Sequence, residues 1–375
     1  MVRFTVLASG SKGNCTVLTG GRTKILVDAG LSCREIFRRM KLAGEDPAAL
    51  DAIIVTHDHQ DHVNGVALTA RKLGIPVYFT EGTHRAWMRW LAPRRQMTYG
   101  QWLELCRKHP TGRAEASGES AMPPEPAAES TPVAVEAFSM AAHATAANPS
   151  LVGAEEPAQM AWNSAPSGEA RASALDDPAE DDPAEDEDSA RSAEAQPGGS
   201  SPARDELTWL PAVEYFQPGQ PFAIGDIGVH PFTVPHDAAD PVGFVFTAEG
   251  VRMGYATDLG YIPPNVKEQL RRLDLLLLES NHDLEMLRDG PYPWQVKQRV
   301  LSRVGHLSNE AAAQFLAEDY DGQAAWIVLA HLSESNNLPE LAQVAAERAL
   351  AGQPSLIGNH LLIARQHEPL SSIDF

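Results

Sequence analysis

The sequence predicts a layered α/β domain that is interrupted once by a long acidic segment. Stretches with the apolar pattern of strands alternate with stretches that have the period of helices, on both sides of a segment that has neither pattern. The chain has 375 residues, of which 43% are hydrophobic, so it can bury a substantial core. Two β-rich halves, each covered by helices, fit a layered α/β domain.

Before the acidic segment, strand and helix patterns follow one another closely. LSCREIFRRMKLAG is predicted to be a helix in which Ser32 and Glu35 form a capping box and Gly44 ends the last turn. HVNGVALTARKLG and THRAWMRWL are the other predicted helices. The predicted strands of this half are FTVLAS, KILVDAG, AIIVTH and IPVYFT.

After the acidic segment the alternation resumes. GFVFTAEGVRMGYATD is predicted to be a hairpin that turns at Glu249 and Gly250. The other predicted strands are IGVHPFTVPH, LDLLLLES and AAWIVLAH, and the predicted helices are NEAAAQFLAEDY and LPELAQVAAERALA.

The acidic segment accounts for most of the net charge of −20. Between Pro110 and Glu206 lie 20 of the 50 acidic residues but only 4 of the 30 basic ones, which leaves a net of only −4 for the rest. Its Ala, Pro, Glu, Asp, Ser and Gly composition predicts a disordered insertion, over residues 106–207. Charge blocks are often interaction tails, so a protein partner of the insertion is the alternative to plain solvated chain.

Cysteine content predicts a reducing compartment, and hydropathy predicts neither a signal peptide nor a membrane span. The three cysteines, Cys15, Cys33 and Cys106, form no short paired spacing, which argues against a disulfide framework and a cysteine-built zinc site. The apolar run at the N-terminus is too short for a signal peptide, and no stretch approaches the roughly 20 apolar residues of a membrane span. We therefore expect a cytoplasmic protein without a membrane association, and no feature indicates its oligomeric state.

The run THDHQDH carries the strongest chemical signal. It places His57, His59, Asp61 and His62 directly after the apolar strand pattern AIIV. Imidazole and carboxylate are ligands that zinc, manganese and iron accept. Because His57 and His59 are two residues apart, their side chains point the same way in an extended chain and can chelate one ion. Asp61 and His62, at the start of the next helix, can face a second ion.

Three later residues have the same setting at the ends of predicted strands. His236, Asp258 and His331 each follow an apolar run and precede Gly, Asp or Ser turn residues. Taken singly, each could be an ordinary turn residue or a core histidine. Together with the THDHQDH run they complete two metal sites, with Asp258 as the natural bridge.

With these residues in this order, the chain resembles the metallo-β-lactamase superfamily, and more closely its YycJ/WalJ-type branch of exonucleases that act on double-stranded DNA from the 5′ end. The resemblance implies an αββα four-layer sandwich, built from residues 1–105 and 208–375, with a dinuclear site at one edge. The chain departs from the branch in the length of its acidic insertion. The matching stretches are VLASGSKGN, LVDAGLS, VTHDHQDH, ARKLGIPVY, HDAADPVGFVF, TDLGY, ESNHDLEML, GPYPWQVKQRVLS, VGHLSNE and LAHLSESNN.

The resemblance also implies a role for each metal-competent residue. One ion would be held by His57, His59 and His236, and the other by Asp61, His62 and His331. Asp258 would bridge the two ions, which would be zinc or manganese, with iron as an alternative. Asp28, at the end of KILVDAG, matches a buried carboxylate that orients the ligand loop.

The expected mechanism is in-line attack on a phosphodiester by a hydroxide that two metal ions, about 3.5–4 Å apart, share. His306 precedes a helix whose predicted N-cap is Ser308, so it could bind the scissile phosphate or protonate the leaving oxygen. Its alternative is to support the turn. Glu279 and His282 are expected to brace His306 or contact substrate.

Further residues are candidates for contacts with a nucleic acid. The glycine-rich turn ASGSKGN could bind phosphate through Ser9, Ser11, Lys12 and Asn14, although such turns are common. A basic cluster could follow the backbone of the substrate, or could simply be a solvated helix face. It comprises Arg288, Lys297, Arg299 and Arg303.

The resemblance implies a 5′ to 3′ exonuclease with DNA, rather than RNA, as its nucleic-acid substrate. The fold hosts many reactions, so hydrolysis of a small lactone, thioester or cyclic phosphodiester is the alternative enzyme activity. A non-catalytic adaptor that binds partners through the acidic insertion is the third alternative, and the intact ligand set argues against it.

Overall fold

The computed structural model describes residues 1–91, 209–352 and 358–375. Residues 1–96 and 198–375 belong to one unit, so both flanks of the acidic segment contribute to the same domain. Cys106 and the acidic insertion predicted over residues 106–207 lie outside the described residues. The disorder of that insertion, its protein partner and the domain limits at residues 105 and 208 therefore stay predictions.

Fourteen strands occur in the described residues. They are β1 Val2–Ala8, β2 Cys15–Gly20, β3 Thr23–Val27, β4 Ala52–Ile54, β5 Pro76–Phe79, β6 Ala212–Tyr215, β7 Phe222–Ile224, β8 Ile227–Thr233, β9 Val242–Ala248, β10 Val251–Ala256, β11 Leu275–Glu279, β12 Trp326–Ala330, β13 His360–Ile363 and β14 Ile373–Asp374.

The same part of the chain contains nine α-helices. They are α1 Cys33–Leu42, α2 Gln60–Val63, α3 Val66–Leu73, α4 Glu81–Leu91, α5 Pro264–Gln269, α6 Leu284–Asp289, α7 Trp294–Val300, α8 Asn309–Glu318 and α9 Pro339–Ala351. None of these helices is both long and apolar enough to span a membrane.

The strands form two seven-stranded sheets with matching organisation. The first sheet has the order β14-β1-β2-β3-β4-β5-β6 and the second the order β13-β12-β11-β10-β9-β8-β7. Each sheet has an antiparallel half and a parallel half, the parallel strands being β3 to β6 in the first sheet and β10 to β13 in the second. All five residues of β11, LLLLE, are buried, as expected for a strand that is covered on both faces.

Three apolar clusters arrange the elements in four layers. The largest cluster contains residues from both sheets, such as Phe4 and Phe244, and therefore lies between them. A second cluster joins the outer face of the second sheet to α5, α8 and α9. A third joins the outer face of the first sheet to α1, α3 and α4. The predicted αββα sandwich is confirmed.

The local predictions around α1 and the hairpin can be compared with the structure in detail. The Ser32 side chain accepts a hydrogen bond from the backbone N–H of Glu35, as an N-cap should, whereas the Glu35 carboxylate binds Arg38 and Arg39. Only half of the predicted capping box forms, because two guanidinium groups are stronger partners for the carboxylate than a backbone N–H. The hairpin turns at Glu249 and Gly250, both with positive φ, as predicted.

The single helix predicted over residues 62–74 is wrong. Two helices, α2 and α3, occur instead, and the chain breaks between them at Asn64 and Gly65. Gly65 donates its N–H to the carbonyl of Ala29 at 2.7 Å, and a Cβ at this position would lie 2.1 Å from the carbonyl oxygen of Leu31. The break therefore results from close packing against the loop after β3, which helix propensity cannot anticipate.

The strand ends bring the polar loops to one edge of the sandwich. Asp28, Asp258 and His331 follow β3, β10 and β12, and all three adopt a left-handed backbone with φ of 59°, 61° and 56°. Non-glycine residues pay a steric cost in this region, and such strain is found mainly at functional sites. The three turns direct chain away from the parallel strands at the position where ligands bind in open α/β sheets.

Candidate metal centre

Nine metal-competent side chains of the described residues converge at this edge. Seven are the candidate ligands, and the other two are Glu279 and His306. Ligand atoms of His57, His59 and His236 lie within 4.8 Å of one another, and so do those of Asp61, His62 and His331. These are the two ligand sets expected from the sequence. The distance between His236 Nε2 and His59 Nδ1 is 3.2 Å. In the second set, Asp61 Oδ2 lies 3.4 Å from His62 Nε2 and 3.3 Å from His331 Nε2.

Asp258 lies between the two sets. Its Oδ2 is 3.3 Å from His62 Nε2, and its Oδ1 is 3.8 Å from His236 Nε2 and 3.6 Å from His331 Nε2. One carboxylate thus reaches imidazoles of both sets from a buried position. This placement is what a bridging ligand requires.

Backbone contacts hold the ligand loop on the turn after β3. The N–H of Asn14 donates to the carbonyl of Asp61 at 2.7 Å, and the N–H of Ala29 donates to the carbonyl of His62 at 2.8 Å. Gly30 lies against the same loop, where a Cβ would be 1.6 Å from the carbonyl oxygen of Asp61. The loop geometry therefore depends on residues that are distant in sequence.

In the first sheet, partner side chains fix the imidazoles of the loop. His62 Nδ1 donates to Asp28 Oδ2 at 2.8 Å, and Asp28 Oδ1 accepts the backbone N–H of Thr56 at 2.8 Å. The Thr56 hydroxyl lies 3.0 Å from His57 Nδ1. Each contact occupies Nδ1 and leaves Nε2 facing the cluster, as is typical of metal-binding histidines. The geometry agrees with the orienting role expected for Asp28.

In the second sheet the same arrangement recurs. His236 Nδ1 donates to the carbonyl of Gly305 at 3.0 Å, and His331 Nδ1 donates to Glu279 Oε1 at 3.2 Å. Four imidazoles in total therefore present Nε2 to the same space. Because Nδ1 is used for support in each ring, Nε2 is the atom of each ring that can bind a metal ion.

Two orphaned buried atoms support a metal ion as that partner. His57 Nε2 and Asp258 Oδ2 are buried and have no hydrogen-bond partner among the described residues. A buried polar atom without a partner costs about 1–3 kcal/mol, so such atoms call for an explanation. A divalent cation would satisfy both, and the imidazole and carboxylate donor set suits zinc, manganese or iron. The residues present therefore fit divalent metal binding.

Burial and neighbouring charges lower the pKa values of some groups of the cluster and raise those of others. Burial lowers the pKa values of His57 and His236, so both rings are neutral and ready to bind metal. Burial alone would raise the pKa of Asp258, but the surrounding imidazoles outweigh it and hold that pKa well below its usual range. For His62 and His331, burial is outweighed by neighbouring carboxylates, Asp258 first, which raise both pKa values well above normal.

We expect metal affinity to increase with pH. Without metal, His62 and His331 hold protons at neutral pH because their pKa values are raised. A cation must displace these protons, so each displaced proton should strengthen binding by about tenfold per pH unit until the raised pKa is passed. Calorimetric titrations with zinc or manganese at several pH values would measure the affinity. Repeating them in two buffers of different ionisation enthalpy would give the number of protons released. Equal affinity from pH 6 to pH 8 would contradict this expectation.

Glu279 and His306 form a pair beside the cluster. Glu279 is fully buried, and its Oε1 accepts from His306 Nδ1 at 2.7 Å as well as from His331. Its Oε2 accepts the backbone N–H of Leu259 at 2.6 Å. The carboxylate thus braces two imidazoles at once and is too buried to contact substrate. His306 Nδ1 lies 3.8 Å from Asp258 Oδ1.

His282 lies behind this pair. It is buried, burial lowers its pKa to about 4, and neither ring nitrogen has a hydrogen-bond partner among the described residues. Its carbonyl accepts the N–H of Asn309 at 2.8 Å and so connects the loop after β11 to α8. His282 is buried and does not line the cavity of the candidate metal centre, so its catalytic role stays a prediction.

The glycine-rich turn divides into supporting and exposed residues. Ser9 Oγ accepts the N–H of His331 at 2.8 Å, and Asn14 Nδ2 donates to Asp61 Oδ2 at 3.1 Å. These two residues are buried and position the cluster rather than facing solvent. Ser11 and Lys12 are exposed and stay candidates for the predicted phosphate contact. Lys12 Nζ lies 3.0 Å from a carboxylate oxygen of Glu334.

Each residue of the predicted basic cluster already has a partner within the protein. Arg288 pairs with Asp289, Lys297 donates to backbone carbonyls, and Arg303 lies over the ring of Tyr261 at 4.5 Å. Arg299 forms an ion pair with Asp237 and is the member of the cluster that lines the cavity of the metal centre.

The metal centre opens into a cavity of about 330 Å³. Its lining includes members of both ligand sets together with residues from other elements. These residues are Ser11, His59, Gln60, Asp61, Trp90, Asp258, Arg299, His306 and His331.

Sequence reasoning missed three polar residues that support the ligands. Thr56 and Asp58 flank His57, and Asp58 Oδ1 accepts the N–H of Ala239 at 2.8 Å across the sandwich. Asn281 Nδ2 donates to the carbonyl of His331 at 2.8 Å. The position of a polar residue next to a candidate ligand in sequence is a weak indication of a supporting role. It does not reveal which distant element the side chain will contact.

Comparison with known proteins identifies the fold family. The family model described as the metallo-beta-lactamase superfamily matches residues 8–136, and that of the beta-lactamase superfamily domain matches residues 198–331. Among solved structures, the metallo-beta-lactamase fold protein YhfI from Bacillus subtilis is 14% identical, with a TM-score of 0.51 and 98% of each chain covered. Zinc-bound PqqB from Methylobacterium extorquens is 12% identical, with a TM-score of 0.50, and 98% of this chain and 99% of PqqB are covered.

Curated relatives narrow the assignment. Exodeoxyribonuclease WalJ from Streptococcus pneumoniae is 27% identical over 349 residues, which covers 93% of this chain and 88% of WalJ. Exodeoxyribonuclease YycJ from Bacillus anthracis is 28% identical, with 93% of this chain and 89% of YycJ covered. With the two family matches and the αββα sandwich, these similarities show that the chain belongs to the metallo-β-lactamase superfamily, in its YycJ/WalJ-type branch.

Proposed function

We propose that this protein is a dinuclear metal-dependent phosphodiesterase that digests DNA as a 5′ to 3′ exonuclease. The observation that carries the proposal is the position of Asp258, which reaches imidazoles of both ligand sets while His306 lies 3.8 Å from it. Two metal sites that share one carboxylate beside a further imidazole suit in-line attack on a phosphodiester. The names of the WalJ and YycJ relatives support DNA as the substrate.

The metal ions, zinc or manganese with iron as an alternative, would supply charge for the phosphoryl oxygens and make water a nucleophile at neutral pH. His57, His59 and His236 would hold one ion. Asp61, His62 and His331 would hold the other, and Asp258 would bridge them. The support by Asp28, Thr56, Glu279 and Gly305 would keep each Nε2 aimed at its ion without reorganisation during turnover.

His306 would act on the leaving oxygen. Its Nδ1 is bound to Glu279 Oε1, and the ring lines the cavity, so Nε2 is the atom available to substrate. From there Nε2 can donate a hydrogen bond to the scissile phosphate or a proton to the oxygen that leaves. The nearby N-terminus of α8, capped by Ser308, adds a favourable field for negative charge.

The proposal predicts metal-dependent, stepwise shortening of DNA. Purified protein would be incubated with 5′-phosphorylated duplex and single-stranded DNA labelled at either end, and with RNA, in the presence of manganese or zinc. Loss of nucleotides from the 5′ end would support the polarity, and products would be resolved by length. An Asp61→Ala, His62→Ala variant should lose the activity by about a thousandfold or more, because two of the three ligands of its second set are removed. Circular dichroism would verify that this variant is folded.

Several outcomes would contradict parts of the proposal. Shortening from the 3′ end would contradict only the proposed 5′ to 3′ polarity. A preference for RNA would contradict DNA as the proposed substrate. If metal-loaded protein leaves both DNA and RNA intact, the nuclease function is wrong. Hydrolysis of small lactones, thioesters or cyclic phosphodiesters would then be the activity to measure.

A further inference from the structure

A second cavity adjoins the metal centre. It has a volume of about 230 Å³, and its lining is mainly apolar, with Val63, Ala67 and Trp87 among the residues that form it. Gln60 and Trp90 line both this cavity and the cavity of the metal centre. The two cavities are therefore neighbours, and these two side chains belong to the wall of each.

Trp90 forms the part of that wall that faces solvent. Although it is a large aromatic residue, it is 67% exposed. Its indole Nε1 donates to Asp58 Oδ2 at 3.4 Å, and Asp58 lies between His57 and His59 in the ligand loop. The ring thus contacts the loop that carries the candidate ligands. Among the described residues, none covers its exposed face.

We propose that the second cavity binds one nucleobase of the DNA substrate, next to the scissile phosphate, with Trp90 as its stacking platform. The proposal rests on the proposed function and adds a base subsite to it. Aromatic rings stack on every base because each base has a π-face, which suits an enzyme that removes nucleotides in succession. Gln60 and Asn64 are exposed at the same cavity and offer amide donors and acceptors to the base edge.

The dimensions of the cavity favour a terminal nucleotide. A volume of about 230 Å³ has room for a single base and not for a base pair within a duplex. A base must therefore leave its stack to enter, and the cost is least for bases that are already unpaired or at a fraying end. Because the two cavities share Gln60 and Trp90, a nucleotide whose base lies against Trp90 would have its phosphate next to the candidate metal centre.

The test compares intact and abasic ends. Initial rates would be measured on a duplex with normal ends and on the same duplex with abasic sites at its terminal nucleotides, for wild type, Trp90→Ala and Trp90→Phe. On intact DNA, Trp90→Ala should raise KM by about 5-fold to 100-fold, the factor that stacking of one base contributes, and change kcat less than about twofold. Trp90→Phe, which keeps an aromatic ring, should have a KM close to that of wild type. On abasic DNA, wild type and Trp90→Ala should have the same KM.

Trp209→Ala provides the matched control, since Trp209 is an exposed tryptophan that lines neither cavity. Its KM should equal that of wild type on both substrates. The base subsite is wrong if Trp90→Ala changes KM by the same factor on intact and abasic DNA, or leaves both unchanged. A lower KM for Trp90→Ala would also overturn it and would indicate that a segment of this chain occupies the cavity.

A second measurement separates this proposal from the proposed function. If wild type digests no DNA, the nuclease function fails, and the cavity is then probed with deoxyadenosine monophosphate by tryptophan fluorescence. Quenching in wild type that Trp90→Ala lacks, and that ribose 5-phosphate does not produce, would support a base site. The absence of quenching would overturn it.

Discussion

Replacing Asp258 by asparagine is expected to remove metal from the cluster and to lower phosphodiesterase activity by about a thousandfold or more. Asp258 is buried, and its two oxygens lie within 3.3–3.8 Å of imidazole nitrogens from both ligand sets. The pKa of this carboxyl is held well below its usual range, so the residue supplies a negative charge that asparagine cannot replace. Both sites should therefore weaken together.

Asparagine is the informative substitution because it preserves the shape of the side chain. It also tolerates the left-handed backbone at this position, where φ is 61°. The variant should fold, and its metal content per chain, measured by elemental analysis after gel filtration, should fall towards zero. Asp289→Asn is the matched control, since Asp289 is exposed and pairs with Arg288 away from the cluster. Full metal content in Asp258→Asn would refute a bridging role.

Replacing Gly30 by alanine should destabilise the protein and disrupt the candidate metal centre. The new Cβ would lie 1.6 Å from the carbonyl oxygen of Asp61 and 2.7 Å from the backbone nitrogen of Asn14. Both neighbours are backbone atoms joined by a 2.7 Å hydrogen bond, so neither can move without displacing the ligand loop. We expect the free energy of unfolding to fall by about 3 kcal/mol, at the upper end of overpacking costs.

The measurements are chemical denaturation and metal titration of the same protein. The ligand loop carries Asp61 and His62, so metal affinity should fall together with stability. Gly352→Ala, at the C-cap of α9, is the control because its Cβ would meet its nearest atom at 3.8 Å. That variant should lie within about 0.5 kcal/mol of wild type. A Gly30→Ala protein with unchanged stability and metal affinity would show that the loop can adjust.

The fold class and the residues that can bind metal are predictable from the sequence. The faces that each strand or helix must bury determine where its apolar residues lie. Runs such as LLLLE and the alternation of strand and helix patterns are therefore visible among neighbouring residues of the sequence. The candidate ligands His57, His59 and Asp61 are recognisable because metal-competent side chains lie close together after one strand. The acidic segment was visible because composition limits what a chain can bury.

The pairing and the support of these residues depend on long-range packing, which the sequence pattern does not reveal. His59 meets His236 across 177 positions of sequence, and Asp61 meets His331 across 270, because packing of two sheets brings their strand ends together. The break between α2 and α3 likewise came from contact with a distant loop.

The same reason explains why the local pattern leaves two roles open for Glu279 and indicates none for Trp90. Glu279 ends an apolar strand, and only the fold shows that it accepts from two imidazoles on other elements. The helix pattern around Trp90 does not reveal its contact with Asp58. Local sequence records the preference of each segment for burial and conformation. The contacts of a side chain depend on which distant segments pack against it, and that information exists only in the folded protein.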